Sequence, residues 1–505
     1  MDIIETLKQD LREGRISAER LVDLVADLCG KLEAANQRIE ELNQRIEDLE
    51  KQCDGTPTAK VDEPFSTRAE EKRQEARGKK RRKRKPKGRR GRVSTNDKVA
   101  QAERTEAVFP EGVPPDACRL SHVRPVWRLE NGRAVLVAYQ IYRGPRNRYG
   151  QIPGVLGRSE YGLEIVTEIA YLVYIVGLSF DKVCHLLNFF QNLRLRKSQA
   201  NTLLYQLSRD WEREFDLLCT LLANSLVVHA DETRWSLNSV WAFLSEKARV
   251  LLFGVHKDAR TLQAVLDPAS FAGILISDDA AVYAHFTQAQ KCWAHLLRKA
   301  IKLTLQDPNN AAYRTFTDRL LEIYREACRV QRDGRLSDAG RAQKVLVLDD
   351  EILDLCVANW LPTQPPSNGL EKDSRLLVNE VLRLLVRQEL LTFVTAKPTE
   401  QPNGTTKPVD GTNNEAERTL RGAAQARLTG RTSKTLDGAR RQTILTSVLQ
   451  SLRLYLPTFT LSSVLAELKR WWATGRSCFA ELMEKLKLTP PEQSVIDQIL
   501  PGPSG

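Results

Sequence analysis

Nine cysteines are scattered through 505 residues, and no two of them form a Cys-x-x-Cys pair. They stand singly, as Cys29, Cys53, Cys118, Cys184, Cys219, Cys292, Cys328, Cys356 and Cys478. That spacing argues against a disulfide framework and against an intact zinc ribbon, so free thiols are expected. Long apolar runs are missing as well. The most apolar windows, around 169–180 and 217–228, are too short or too interrupted to cross a bilayer. The chain starts Met-Asp-Ile-Ile-Glu, without the basic start or apolar stretch of a signal peptide. A soluble, cytoplasmic protein of several domains is therefore expected, with no membrane partner.

One strongly basic run carries no acid. Between residues 77 and 92 there are twelve Lys and Arg and no Asp or Glu. Against a formal net charge of +12, that run leaves the rest of the chain near neutral. Lys79, Lys80, Arg81, Arg82, Lys83, Arg84, Lys85, Lys87, Arg89, Arg90 and Arg92 suit contact with nucleic acid phosphates. They would track the backbone without reading bases, and binding would depend strongly on salt. The surrounding stretch, 54–105, lacks apolar periodicity and reads as a disordered basic linker.

Ahead of it, residues 1–53 carry a heptad pattern. Val25, Leu32, Ile39 and Ile46 take the a positions, and Leu21, Leu28, Ala35, Leu42 and Leu49 take the d positions. β-Branched residues at a with Leu at d favour a parallel two-stranded coil, so a homodimer through 21–49 is expected. After the linker, 106–158 holds a β-hairpin around Asn131-Gly132, with Cys118 and His122 just before it. With no second ligand pair in sight, zinc is not expected there. Residues 159–225 read as helical, and the turn Gly177-Leu178-Ser179 leaves room for a helix-turn-helix that contacts DNA.

The pattern then changes to strands at 226–230, 240–244 and 250–254, a helix at 261–266 and a fourth strand at 273–277. This is a mixed α/β core. Residues 299–400 read as a large helical insertion, 401–445 return to the core, and 446–505 form a C-terminal helical region. Asp231 and Asp278 are expected to close the first and fourth strands, and Glu417 to lie on a helix across that edge. If the two strands are neighbours, the three carboxylates make a hard oxygen site for two Mg²⁺ or Mn²⁺ ions ~3.5–4 Å apart, as phosphoryl transfer requires. Taken singly, each acid has an ordinary explanation: Asp231 and Asp278 as caps, Glu417 in a capping box with Asn414. Glu232, Asp279 and Glu415 stand close by and leave the choice of ligand open at this level.

His229-Ala-Asp-Glu-Thr-Arg-Trp235, Ser277-Asp278 with Tyr283, Cys292-Trp-Ala-His-Leu-Leu-Arg298 and Asn413-Asn-Glu-Ala-Glu-Arg418 resemble the motif series of insertion sequence 66 family transposases. Their order and the helical insertion before the last block agree with that family. The resemblance implies a ribonuclease H-like catalytic core over 226–298 and 401–445, and a metal-dependent DDE transposase. It implies Asp231, Asp278 and Glu417 as the catalytic metal ligands, with His295 in support and Arg418 and Arg421 on DNA phosphate. The partners implied are double-stranded DNA (element ends and target) and, in some elements, helper proteins. A place near the prokaryotic nucleoid follows. The chain departs from the family's pattern in retaining only Cys118 and His122 of the usual zinc ribbon region. Leu297 and Leu428 also stand where basic residues are usual. A DNA-binding regulator derived from a transposase, without catalysis, is the alternative reading.

Overall fold

The computed structural model describes residues 93–359 and 365–501. The expected coil and the basic run up to Arg92 lie outside the described residues. What had read as the end of a disordered linker is ordered. Ser94 and Asp97 form a capping box that starts a short helix, Thr95–Ala100. Strand β1 (Arg104–Val108) then pairs in parallel with β3 (Arg133–Arg143). Antiparallel to β3 runs β2 (Arg119–Glu130), so the three-stranded order is β1-β3-β2. Asn131 and Gly132 both have positive φ, 51° and 77°, which is what a tight turn matched to the strand twist needs.

Helices α1 (Leu163–Ala170), α2 (Phe180–Gln191), α3 (Lys197–Asp210) and α4 (Glu212–Ala223) follow. Their apolar faces join one large core with the central sheet. That sheet has five strands: β4 (Val227–Arg234), β5 (Ser239–Ser245), β6 (Arg249–Val255), β7 (Ile274–Ser277) and β8 (Ala289–Lys291). Their order is β6-β5-β4-β7-β8. The first three are antiparallel neighbours, whereas β4, β7 and β8 run parallel. Helix α5 (Ala259–Val265) makes the crossover from β6 to β7.

One expectation about β4 needs correcting. The strand does not end at Asp231 but runs on to Arg234, because its antiparallel pairing with β5 continues that far. Its parallel pairing with β7 stops earlier, at His229 opposite Ile276. Asp231 is therefore interior to one ladder and just past the end of the other.

Helices α6 (Trp293–Gln306), α7 (Ala311–Arg332), α8 (Asp338–Ala358) and α9 (Gly369–Val386) form the body inserted after β8. It has its own apolar core, which reaches the sheet through Val227 and Ile276. The chain returns through a small hairpin, 399–407, to α10 (Asn414–Leu428), which packs on β4 and β5. Helix α11 (Leu436–Tyr455) lies along edge strand β6. Its Thr443, Ser447 and Ser451 hydroxyls accept the amides of Phe253, Leu251 and Arg249, each at 2.9 Å. Helices α12 (Leu461–Thr474) and α13 (Cys478–Lys485) complete the large core. Among the described residues no helix is long and apolar enough to cross a membrane.

Candidate active site

The parallel register His229↔Ile276 sets the site. Two residues further on, Asp231 inside β4 and Asp278 just past the end of β7 come to the same end of the sheet. Side chains alternate along a strand, so Asp231 faces the side on which α10 packs, while Glu232 points to the opposite face. Glu417 sits in the first turn of α10. Burial pushes the Asp231 carboxyl up to about 7, with the charges of Glu232, Asp278 and Glu417 adding to the effect. Both other members of the expected trio thus act on Asp231. Among the described residues, no Lys, Arg or His makes an ion pair with Asp231 or Asp278. Asp231 Oδ1 accepts the amide of Glu232 at 2.9 Å, and Asp278 Oδ1 accepts that of Ala280 at 3.1 Å.

The neighbouring acids are occupied. Glu232 takes the Tyr283 hydroxyl and an ion pair from Lys257. Asp279 is paired with Arg383 of α9. Glu415 is paired with Arg249 at 2.7 Å and with Lys407. Although burial acts the other way, those two cations hold the Glu415 carboxyl below its ordinary value. Glu417 is held differently, by Arg298 at 2.5 Å, with His295 Nδ1 at 3.6 Å. His295 is half-buried; burial first, and Arg298 next, lower its pKa, so the imidazole beside Glu417 is neutral near pH 7.

Two supporting residues were not among the expected site residues. Lys291 is buried, and its ammonium donates to Ser277 Oγ at 3.2 Å and to the Asp278 carbonyl at 3.1 Å. It clamps the turn that presents Asp278, and burial lowers its pKa. Asn413 is wholly buried and donates from Nδ2 to the Ala230 carbonyl at 2.7 Å. Its amide also donates to Cys292 Sγ at 3.1 Å. The side chain thereby ties the start of α10 to β4 next to Asp231, and the backbone amide of the same residue ties it to the start of α6. Asn413 opens one of the sequence blocks quoted above, whereas nothing local marked Lys291.

Arg418 and Arg421 are exposed on α10 and available to a polyanion; Arg418 Nε donates only to its own helix, to the Asn414 carbonyl. Lys79 to Arg92 fall outside the described residues. Cys118 and His122 belong to the β2 region, where Cys118 Sγ donates to the Pro114 carbonyl and His122 lies beside Ser121.

Asp231, Asp278 and Glu417 offer only carboxylate oxygen, the donor type of a hard divalent cation; two of them lack a cationic partner, and ionising Asp231 is costly until positive charge arrives. Among the described residues, the three donors that lie within 4.8 Å of one another are Cys292, His295 and Glu417 and not these three acids. No curated protein matches the chain significantly. The model of the IS66 family of transposases matches residues 158–441, a stretch that contains the helical region, the five-stranded sheet, the inserted helices and all three acids, and the chain belongs to that family.

Proposed function

We propose that this transposase cuts DNA at the ends of its own element and joins the exposed 3′-hydroxyls to target DNA, with Asp231, Asp278 and Glu417 as the catalytic acids. The observation that supports this reading is the parallel pairing of β4 and β7, which brings Asp231 and Asp278 to the same end of the sheet, with α10 packed on β4. The strand order β6-β5-β4-β7-β8, with its antiparallel and parallel halves, supports a ribonuclease H-like core.

Asp231, Asp278 and Glu417 would hold Mg²⁺ or Mn²⁺ in a two-ion arrangement. The ions would supply Lewis-acid activation of the attacking oxygen and charge stabilisation of the leaving oxygen. The rest falls to the chain itself. Lys291 and Asn413 keep the two β-strand acids and α10 in register. Lys257 pairs with Glu232 and the Tyr283 hydroxyl donates to it, so it is engaged on the other face of β4. Arg298 holds Glu417 until metal and DNA arrive, and Arg418 and Arg421 offer positive charge to the phosphate backbone. The N-terminal coil would pair two subunits so that two element ends are held together, and the basic linker would add sequence-independent affinity.

The test is strand cleavage and joining on DNA carrying the element's ends, comparing wild type with Asp278→Ala. Activity with Mg²⁺ that disappears in the variant, with DNA binding retained, is the expected result. Equal activity in both proteins would remove Asp278 from the site. Binding without cleavage in either protein would favour a regulator derived from a transposase.

A further inference from the structure

Next to the carboxylates lies a second group of donors with different chemistry. Cys292 Sγ, a ring nitrogen of His295 and a carboxylate oxygen of Glu417 all lie within 4.8 Å of one another. Cys292 caps the start of α6 and His295 follows one turn later, so a rigid helix start sets both. The Asn413 amide fixes the sulfur against the segment that leads into α10 and Glu417. An oxygen-only site for Mg²⁺ has no use for a sulfur donor, because hard cations bind thiolate poorly.

The donors are reachable. Cys292 is only 1 % exposed, yet it lines a cavity of about 810 Å³ together with His295, Asp278, Lys291, Lys299 and Glu380. A cation already sits on two of the three donors. Arg298 Nη2 is 2.5 Å from Glu417 Oε1 and 3.4 Å from His295 Nδ1. Its side chain is 55 % exposed and can swing into solvent when a metal ion replaces it.

We propose that Cys292, His295 and Glu417 form a site for a thiophilic divalent cation of the zinc type, and that filling it inhibits the enzyme by drawing Glu417 away from Asp231 and Asp278. The binding stands on geometry alone; the inhibition rests on the function proposed above. Zinc bonds of ~2.0–2.3 Å in a tetrahedron place ligand atoms roughly 3.5 Å apart, so donors that lie within 4.8 Å of one another need to close by at most about 1 Å and leave the fourth position to water. Binding releases the thiol proton of Cys292 to solvent.

Cobalt(II) titration of the metal-free full chain reads the site directly, through thiolate-to-cobalt absorption that zinc then bleaches. One equivalent is expected in wild type. In Cys292→Ser, which retains an acceptor for the Asn413 amide, the absorption is lost and zinc binds at least tenfold more weakly. His295→Ala gives the same weakening from the other side of the site and serves if the first variant does not fold. No thiolate absorption in wild type, or absorption that persists in folded Cys292→Ser, overturns the proposal. In the cleavage assay with Mg²⁺, one equivalent of zinc should suppress wild type, and Cys292→Ser should need at least tenfold more. Zinc that binds through Cys292 but leaves Mg²⁺-dependent cleavage unchanged overturns the inhibitory half. A chain that binds cobalt through Cys292 but never cleaves DNA contradicts the proposed function and leaves the metal site intact.

Discussion

Asp231→Asn removes one charge from a pocket where burial and three neighbouring acids oppose ionisation, and its effect on the metal-free protein can be worked out. The Asp231 carboxyl is pushed from its ordinary 3.8 to about 7. The folded protein therefore holds this proton more tightly than the unfolded chain does. Stability from this group is fully present below pH 4, falls as pH rises from there to about 7, and is flat above. The gap corresponds to about 4 kcal/mol at ~1.4 kcal/mol per pH unit, and solvent at the rim reduces it to roughly 2. Asparagine keeps the shape and the acceptor for the Glu232 amide but never ionises. Without metal, Asp231→Asn should thus be about 2 kcal/mol more stable than wild type at pH 8, and no different at pH 4. Adding Mg²⁺ should reverse the order, because wild type gains about 2.7 kcal/mol at a hundred times the dissociation constant and the variant gains little. Urea unfolding at both pH values, with EDTA or Mg²⁺, measures all four quantities. A variant less stable than wild type at pH 8 without metal would show that Asp231 is a satisfied structural carboxylate, and the metal-site reasoning would fail.

Other perturbations test neighbouring parts. Ser447→Ala leaves the buried Leu251 amide without its acceptor and should cost about 1–3 kcal/mol in urea unfolding at unchanged slope; a loss under 0.5 would mean that water or a shift replaces the bond. Gly254→Ala should cost roughly 1–3 kcal/mol, since φ is +77° and the new methyl would meet Ala439 Cβ at 2.9 Å; a neutral result would mean that α11 moves aside. Arg298→Ala frees Glu417 and should tighten Mg²⁺ several-fold in calorimetry, whereas weaker binding would make Arg298 a necessary orienting group. Deleting residues 77–92 should flatten the dependence of DNA affinity on salt by at least ~3 in the log–log slope, and an unchanged slope would place the phosphate contacts elsewhere.

The apolar runs of β5 and β6 were legible because each is short, continuous and bounded by polar residues. Strand β8 was not. Ala289-Gln290-Lys291 has no strand signature, and Gln290 is buried only because residues a hundred positions away satisfy it, Leu390 through its carbonyl and Phe393 through its amide. The overrun of β4 past Asp231 escaped for a related reason: a strand with two partners has two ends, and only the spacing to β7 marked one of them. The three acids could be singled out by their local settings. What local pattern could not show is that Glu232 is paired with Lys257 and Tyr283 while Asp231 has no cationic partner, or that Glu415 is held by Arg249 and Lys407 and Glu417 by Arg298, because those groups are brought in by the fold.

The hydroxyl ladder between α11 and β6 works as a vernier. Successive rungs are four residues apart on the helix, about 6.0 Å, and two apart on the strand, about 6.8 Å. The two scales drift by roughly 1.6 Å over the three rungs, so the match holds for this stretch and in this one alignment. Shifting α11 by a single residue would set Ile444, Val448 and Leu452 against the three amides in one direction, and leave a hydroxyl at Thr446 alone in the other, which makes the helix a gauge for the position of the strand. The same rungs close the sheet's outer margin to a foreign strand, and at the far margin Lys291 gives its amide to the Glu389 carbonyl. Both margins of this sheet are thereby guarded against extension by a strand of a second copy.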